Sequence, residues 1–256
     1  MMTTTLITGA SSGIGKEFAK QLAAAGHNLI LVARNQAALE AQAEEARSRF
    51  GVQAEVIVSD LAQPGAAEKL ASELQKRSLS VDWLVNNAGF GDRGRFEALG
   101  LQRQSDMIQV NVNALVELTH VMLPKIKQSA NGAVINVAST AAFQAGPNMA
   151  VYYATKAFVL SFSEALHEEL KADGVSVVCL CPGATETGFI QEANMGDTLL
   201  FRAGAMHVTP VVSKAIDAVA KNKTIVIPGV KNKLGAWSSH VVPRAATRKI
   251  AAKLQQ

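Results

Sequence analysis

The chain has 256 residues, of which 48% are hydrophobic, and carries a formal net charge of +4. A chain of this size and apolar content can bury one large core, as a single α/β domain or as two small ones. Its first residues lack the charged and apolar segments of a secretory signal, and no apolar run approaches the roughly 18 residues that a membrane helix needs. We therefore expect a soluble, cytoplasmic protein.

The positive charge is concentrated at one end. No acidic residue follows Asp217, whereas eight lysine and arginine residues do, so this end carries +8 and the remainder −4. Such a surface can contact phosphates such as those of an acyl-CoA, an anionic lipid surface in peripheral membrane contact, or a partner subunit, or it can be merely solvated. We do not expect nucleic acid as a partner.

The two cysteines, Cys179 and Cys181, alternate along a strand-like run. Side chains two apart on a strand lie roughly 6–7 Å apart, so a disulfide between them would be strained. We expect both thiols to be reduced. The sequence also lacks a cysteine–histidine cluster with zinc spacing, and we expect no metal site.

The first element is a β-prone run at residues 3–8, followed by a glycine-rich turn and a helical pattern that ends near residue 25. The glycines follow the spacing Gly-x-x-x-Gly-x-Gly. Glycine permits a tight turn and lets the backbone approach a pyrophosphate at the positive end of the helix. A plain β–α turn is the alternative, but the context favours a dinucleotide-binding loop. Its residues are Gly9, Ser11, Ser12, Gly13, Ile14 and Gly15.

The second strand, at residues 28–33, ends without the carboxylate that NAD-preferring sites place near the adenosine ribose. Ala33 and Arg34 stand there instead. An arginine fork suits a 2′-phosphate, so we expect NADPH to be preferred over NADH. The alternative is that Arg34 caps the surface of the following helix.

The remaining pattern alternates strands with helices. Repeated alternation predicts a parallel sheet with helices on both faces, and ligands bind such sheets at the carboxyl ends of the strands. Polar residues follow these ends: Asp60 and Leu61, where Asp60 could accept from the adenine amino group, and residues 86–89, which either border a ligand crevice or form a simple Asx turn. The expected strands are residues 53–59, 81–85, 133–138, 175–181 and 224–227; the expected helices are residues 36–50, 64–77, 101–127, 151–171 and 210–221.

Two later segments differ from this alternation. Residues 184–209 combine three glycines with an apolar set of Phe, Ile, Leu and Met, a composition that suits a substrate lid. Residues 229–256 form a basic C-terminal extension, with a helix broken at Pro243.

Four polar side chains on the predicted helices suggest chemistry. Tyr152 and Lys156 are four residues apart and so share a helix face. A neighbouring ammonium lowers the pKa of a phenol and would make it a proton donor and acceptor for a carbonyl–alcohol interconversion. A helix tyrosine beside a solvated lysine is the alternative. Asn111 and Asn113 interrupt an apolar helix, which indicates a buried polar role for at least one of them.

Five motifs, taken in their order along the chain, resemble those of the short-chain dehydrogenase/reductase family. They are Thr8-Gly9-x-x-x-Gly13-x-Gly15, Asn86-Asn87-Ala88-Gly89, Ser139, Tyr152-x-x-x-Lys156 and Pro182-Gly183. The resemblance implies a Rossmann-type, doubly wound, parallel seven-stranded sheet in the order 3-2-1-4-5-6-7, within a single domain over residues 1–256.

The resemblance also implies roles for individual residues. The catalytic set would be Asn111, Ser139, Tyr152 and Lys156. Tyr152 would transfer the proton, Ser139 would hold the substrate oxygen, Lys156 would bind the nicotinamide ribose, and Asn111, rather than Asn113, would hold a relay water. Tyr153 would only pack. Further cofactor contacts are implied at Asn87, Gly89, Pro182, Gly183 and Thr187.

We therefore expect an NADP(H)-dependent oxidoreductase that interconverts an apolar ketone or aldehyde and its alcohol. A non-catalytic dinucleotide-sensing or scaffold protein is the alternative, since fold does not fix function. Ser12 departs from the basic residue that many NADP-dependent members carry there, so the NADP preference depends mainly on Arg34. Residues 87–96 and 227–234 resemble a bacterial branch near the ketoacyl and hydroxysteroid reductases. The family also implies a homodimer or homotetramer through helices 101–127 and 151–171.

Overall fold

Parallel strands form the centre of the protein. The computed structural model describes residues 2–188, 193 and 204–254. Within them the strands are β1 (Thr4–Thr8), β2 (Asn28–Ala33), β3 (Ala54–Val58), β4 (Trp83–Asn86), β5 (Ala133–Val137), β6 (Ser176–Leu180) and β7 (Ile225–Val226). They pair in the order β3-β2-β1-β4-β5-β6-β7, and every pair is parallel. The predicted fold class and strand order are confirmed.

Helices cover both faces of this sheet. They are α1 (Gly13–Ala24), α2 (Gln36–Phe50), α3 (Ala66–Lys76), α4 (Leu101–Ile108), α5 (Ala114–Ile126), α6 (Ala150–Leu170), α7 (Val208–Ala220), α8 (Val230–Val241) and α9 (Arg244–Leu254). Among these helices, none combines the length and the apolar character that crossing a bilayer would require.

The sheet is buried on both sides, which explains its nearly continuous apolar strands. On one side, Phe18 and Leu22 of α1 pack against β1 and β2 together with residues of α2 and α7. On the other, Leu118 of α5 and Leu166 of α6 pack with residues of α3 against β1, β4 and β5. Two cores separated by one sheet therefore hold the strand ends in fixed positions.

Helix boundaries differ from the sequence-based expectation in three places. The predicted helix 101–127 is continuous but contains a π-helical turn, Gln109–Asn113, between α4 and α5. Helix α3 begins at Ala66, because Gly65 adopts a left-handed conformation (φ 73°) and leaves Pro64 outside the helix. Helix α7 begins at Val208, where the His207 side chain accepts from the Thr209 N–H.

The predicted lid lies largely outside the described residues, since only 184–188, 193 and 204–209 of it are described. Its two ends are joined, because Thr185 and Met206 form a β-bridge. The basic C-terminal extension is helical, as α8 and α9, and its residues line a cleft of about 1270 Å³ at the carboxyl ends of the strands.

Candidate active site

The glycine turn after β1 is shaped for close approach. Gly9 and Gly13 have positive φ angles of 63° and 52°, which side-chain-bearing residues rarely adopt. A Cβ on Gly15 would lie 2.3 Å from the Gly9 carbonyl oxygen, so a larger residue there would displace the turn. The turn thus presents bare backbone to the cleft, as a dinucleotide pyrophosphate requires.

The start of α1 is suited to an anion. The first backbone N–H groups of a helix have no intrahelical acceptor. At α1, Ser12 occupies the N-cap without a side-chain capping bond, and the first turn contains no acidic residue. This end of the helix therefore favours negative charge, and the residues present fit the phosphates of a dinucleotide.

Thr8 and Asn87 connect this turn to the end of β4. The Thr8 hydroxyl accepts from the backbone N–H groups of Asn87 and Ala88, both at 3.0 Å. The Asn87 amide donates back to the Thr8 carbonyl at 2.9 Å and to the Gly9 carbonyl at 3.2 Å. The Asn87 side chain therefore bridges two strands, and a simple Asx turn does not describe its role.

The cleft is also lined by three residues that follow β2 and β3, namely Arg34, Asp60 and Leu61. Asn35, and not Arg34, caps α2, because the Asn35 side chain accepts from the Ala38 N–H at 3.1 Å. One carboxylate oxygen of Asp60 accepts from the Ala62 N–H at 3.1 Å, which fixes the turn after β3.

Tyr152, Ser139 and Lys156 meet in the middle of the cleft. Ser139 follows β5, and its hydroxyl forms a hydrogen bond with the Tyr152 phenol. The same hydroxyl accepts from the Ala141 N–H at 3.1 Å, which orients it. The Lys156 ammonium donates to the Val137 carbonyl at 2.8 Å and lies 5.8 Å from the centre of the Tyr152 ring.

The acidity of Tyr152 differs from the sequence-based expectation. Burial raises the pKa of its phenol, partly offset by the hydrogen bond with Ser139, and the nearby Tyr153 raises it further. Burial also lowers the pKa of Lys156 to about 8, although Cys179 and Cys181 raise it. The expectation that the Lys156 ammonium lowers the pKa of the Tyr152 phenol is wrong. Burial is the largest effect on the phenol and raises its pKa, while the ammonium is directed to the Val137 carbonyl.

Both asparagines of the long helix lie in the π turn, but their environments differ. Asn111 is buried, donates to the Phe90 carbonyl at 3.0 Å and to the Thr155 hydroxyl at 3.1 Å, and accepts from the Phe90 N–H at 3.1 Å. Asn113 is exposed and donates to the Gln109 side chain. Asn111 lies directly behind the cleft, since a Cβ on Gly89 would lie 2.9 Å from Asn111 Oδ1 and 3.4 Å from Lys156 Nζ.

Most of the other predicted contacts also reach the cleft. The lining includes Gly9, Ser11, Ser12, Gly13, Ile14, Asn87, Gly89, Pro182, Gly183 and Thr187, but neither Gly15 nor Asn111. Thr187 lies against the glycine turn, because a Cβ on Gly13 would be 3.0 Å from the Thr187 Cβ. Tyr153 packs against Gly146, as expected, but it too lines the cleft.

Cys179 and Cys181 are free and buried, as predicted, although their sulfur atoms approach to 3.7 Å. Both side chains point to the same side of β6 and incline towards each other. No group of three metal-binding side chains occurs within the part of the chain that the structure describes.

Two features of the site were not expected from the sequence. A buried network below the cleft anchors α6, since the Asn86 amide donates to Thr119 and Asn136, and the Asn136 amide donates to Ser163 of α6 at 3.0 Å. The sequence signal for this network was the presence of Asn86 and Asn136 within otherwise apolar strands. In addition, Asn232 of α8 closely approaches Gly183, where a Cβ would lie 2.5 Å from Asn232 Nδ2.

The arrangement has counterparts among known proteins. The family model described as short chain dehydrogenase matches residues 3–197. The chain belongs to the short chain dehydrogenase family. The resemblance drawn from the sequence motifs is thereby confirmed.

Relatives of this chain carry reductase and dehydrogenase names. It is 38% identical over 174 residues to the very-long-chain 3-oxoacyl-CoA reductase of Coprinopsis cinerea, covering 67% of this chain and 51% of that relative. It is 31% identical over 230 residues to the 7beta-hydroxysteroid dehydrogenase of Collinsella aerofaciens, covering 89% and 86%. The chain thus spans about half the length of the fungal relative it matches.

A solved structure extends the similarity to the whole fold. The short-chain dehydrogenase from Sphingobium yanoikuyae in complex with NADPH aligns with a TM-score of 0.83 at 32% identity, covering 94% of each chain. The alignment therefore also includes most of the residues after position 197, where the family-model match ends.

Proposed function

We propose that this dehydrogenase uses NADPH to reduce a ketone or an aldehyde to an alcohol. The observation that carries the proposal is the convergence of Ser139, Tyr152 and Lys156 on a cleft that also contains the glycine turn. Its reductase and dehydrogenase relatives support the same reaction class. The nicotinamide would supply the hydride, and the protein's own groups would manage the proton.

Tyr152 would donate that proton. Because burial raises the pKa of its phenol, Tyr152 stays protonated at neutral pH, which suits a donor in the reductive direction. Ser139 would hydrogen-bond the substrate oxygen, because its hydroxyl is hydrogen-bonded to the Tyr152 phenol and so lies next to the proton donor. Lys156 would hold the ribose hydroxyls, and Asn111 would fix the loop at Phe90 and position a water next to the lysine.

The preference for NADPH is attributed to Arg34. The end of β2 provides this guanidinium and no carboxylate, so a 2′-phosphate would meet a cation without charge repulsion. The structural neighbour from Sphingobium yanoikuyae binds NADPH, which supports the proposal. The phosphates would lie at Gly13 and the start of α1.

The substrate is proposed to be apolar. The cleft wall contains Phe90, Phe143, Met149, Val242 and Ile250. A wall of this kind binds hydrocarbon better than charge. The names of the fungal and Collinsella relatives, an acyl-CoA reductase and a hydroxysteroid dehydrogenase, also refer to substrates with large apolar parts.

The direct test is NADPH oxidation with a panel of ketones and aldehydes of increasing apolar size. Tyr152→Phe should lower kcat by roughly 10²–10⁴-fold, the usual contribution of a positioned acid, and retain NADPH binding. Tyr153→Phe is the matched control, because it removes a phenol from the same cleft and should keep kcat within a few-fold. Equal turnover by Tyr152→Phe and the wild type would refute the assigned donor. NADPH binding without turnover of any panel member would indicate a sensing role instead.

A homodimer or homotetramer is proposed through α4, α5 and α6. Leu101, Ile108 and Phe158 are exposed on these helices, and Phe158 stacks on Phe162 with ring centres 5.9 Å apart. Light scattering at micromolar concentration tests this, and a monomer would reject it.

A further inference from the structure

Helix α8 carries an exposed apolar stripe. Its side chains are Val230, Leu234, Trp237 and Val241, with exposed fractions of 75%, 60%, 65% and 61%. Spacings of four, three and four residues place all four on one helix face. At 1.5 Å per residue the stripe extends for roughly 16 Å, which is a large apolar area to leave in water.

Cations border this stripe. Lys231 and Lys233 are exposed on either side of it, and Arg244, Arg248 and Lys249 are exposed on the adjoining helix α9. The chain has no acidic residue after Asp217, so α8 and α9 themselves contribute only positive charge. The surface therefore combines an apolar face with a positive border.

An anionic lipid surface matches both properties. Helices that lie in a membrane interface bury an apolar face among the acyl chains while lysine and arginine contact the headgroups. Trp237 near the centre of the stripe is a side chain that favours this interface. A second copy of the chain fits less well, because a twofold contact through the stripe would bring two positively charged borders together.

We propose that the outer face of α8 docks on an anionic membrane surface, so that the helix lies on the bilayer rather than crossing it. The opposite side of the same helix borders the cleft, through Asn232 and Ala236. Docking would thus place the cleft wall beside the lipid, where apolar molecules are concentrated. The surface is independent of the proposed reductase activity, and binding needs neither cofactor nor substrate.

Co-sedimentation of the full chain with vesicles tests the proposal. We expect binding to phosphatidylcholine vesicles that contain phosphatidylglycerol, weakening as salt is added, and little binding to pure phosphatidylcholine. The double variant Leu234→Gln/Trp237→Gln should reduce the partition coefficient at least about tenfold, because it removes two large apolar side chains. Phe96→Gln is the matched control, because Phe96 is exposed to a similar extent (62%) but lies outside α8, in the segment between β4 and α4.

Charge reversal is a second, independent arm. Lys231→Glu/Lys233→Glu should abolish the preference for phosphatidylglycerol, whereas Lys20→Glu, an exposed change on α1, should not. Fluorescence supplies a third measurement, because Trp83 is buried and donates to the Asn131 carbonyl, so a blue shift on vesicles reports Trp237. All these residues except Trp83 are exposed, and thermal unfolding of each variant verifies that it folds.

Three outcomes would overturn the proposal. The first is a wild-type protein that does not bind phosphatidylglycerol vesicles. The second is binding that the α8 variants leave unchanged. The third is self-association that depends on Leu234 and Trp237 without vesicle binding, which would assign the stripe to a second copy of the chain.

Discussion

The contact between Gly183 and Asn232 offers a quantitative test of how α8 packs on the sheet. In Gly183→Ala, the added methyl would lie 2.5 Å from both Asn232 Nδ2 and Oδ1, whereas an ordinary contact is 3.4–4 Å. The side chain or the helix must therefore move by about 1 Å. Overpacking of this kind typically costs about 1–3 kcal/mol of folding stability.

A second substitution should relieve that cost. Asn232→Ala alone loses the hydrogen bond that its amide donates to the Pro228 carbonyl at 2.7 Å, a contribution of about 0.5–1.5 kcal/mol. In the double variant the new methyl enters the space that the amide has left. The two changes should therefore be less damaging together than their sum, with a coupling of at least about 1 kcal/mol.

Urea unfolding of the four proteins, without cofactor, measures this coupling. Cofactor is omitted because ligand binding would add its own stabilisation. Additivity of the two free-energy changes within about 0.5 kcal/mol would show that Asn232 of α8 does not contact Gly183 after β6 as described.

Three further outcomes follow from the site. Arg34→Asp should lower the ratio of kcat/KM for NADPH over NADH by roughly 10–100-fold, the worth of one charged hydrogen bond, while Arg49→Asp on α2 should leave the ratio unchanged. Because Lys156 loses its charge above its pKa of about 8, kcat/KM for NADPH should decline as pH rises through that value, and a flat alkaline profile would contradict an ammonium-held ribose. Gly15→Ala should cost about 1–3 kcal/mol of stability by calorimetry through its collision with the Gly9 carbonyl, whereas Gly235→Ala, inside α8 with open space around it, should stabilise by about 0.5–1 kcal/mol.

The sheet was predictable from the sequence because its signal is local. Each strand is a short apolar run bounded by turn residues, and regular alternation with helices leaves a parallel sheet as the natural arrangement. The glycine spacing and the Tyr152-x-x-x-Lys156 pair were equally visible. Asn111 could be separated from Asn113 only by the resemblance, since both interrupt the same apolar stretch.

Features that arise from contacts across the chain were not predictable. The pKa of Tyr152 depends on burial produced by the surrounding elements, and no neighbour in sequence reports it. Asn232 lies in a basic segment without a motif, and its position against Gly183 depends on the path of α8 after Gly229. The apolar stripe of α8 was also hidden, because apolar periodicity does not reveal whether a helix face is covered.

The π turn at Gln109–Asn113 has a consequence for how the long helix divides its contacts. A π turn holds one residue more than an α turn, so it offsets the faces of α4 and α5 by about 100°. This phase difference lets Met107 of α4 face the cleft side while Leu118 of α5 faces the sheet, both fully buried. Deleting a single residue here would restore a regular α-helix and leave Met107 and Leu118 on their present faces, but it would change the position of Asn111 relative to the loop at Phe90.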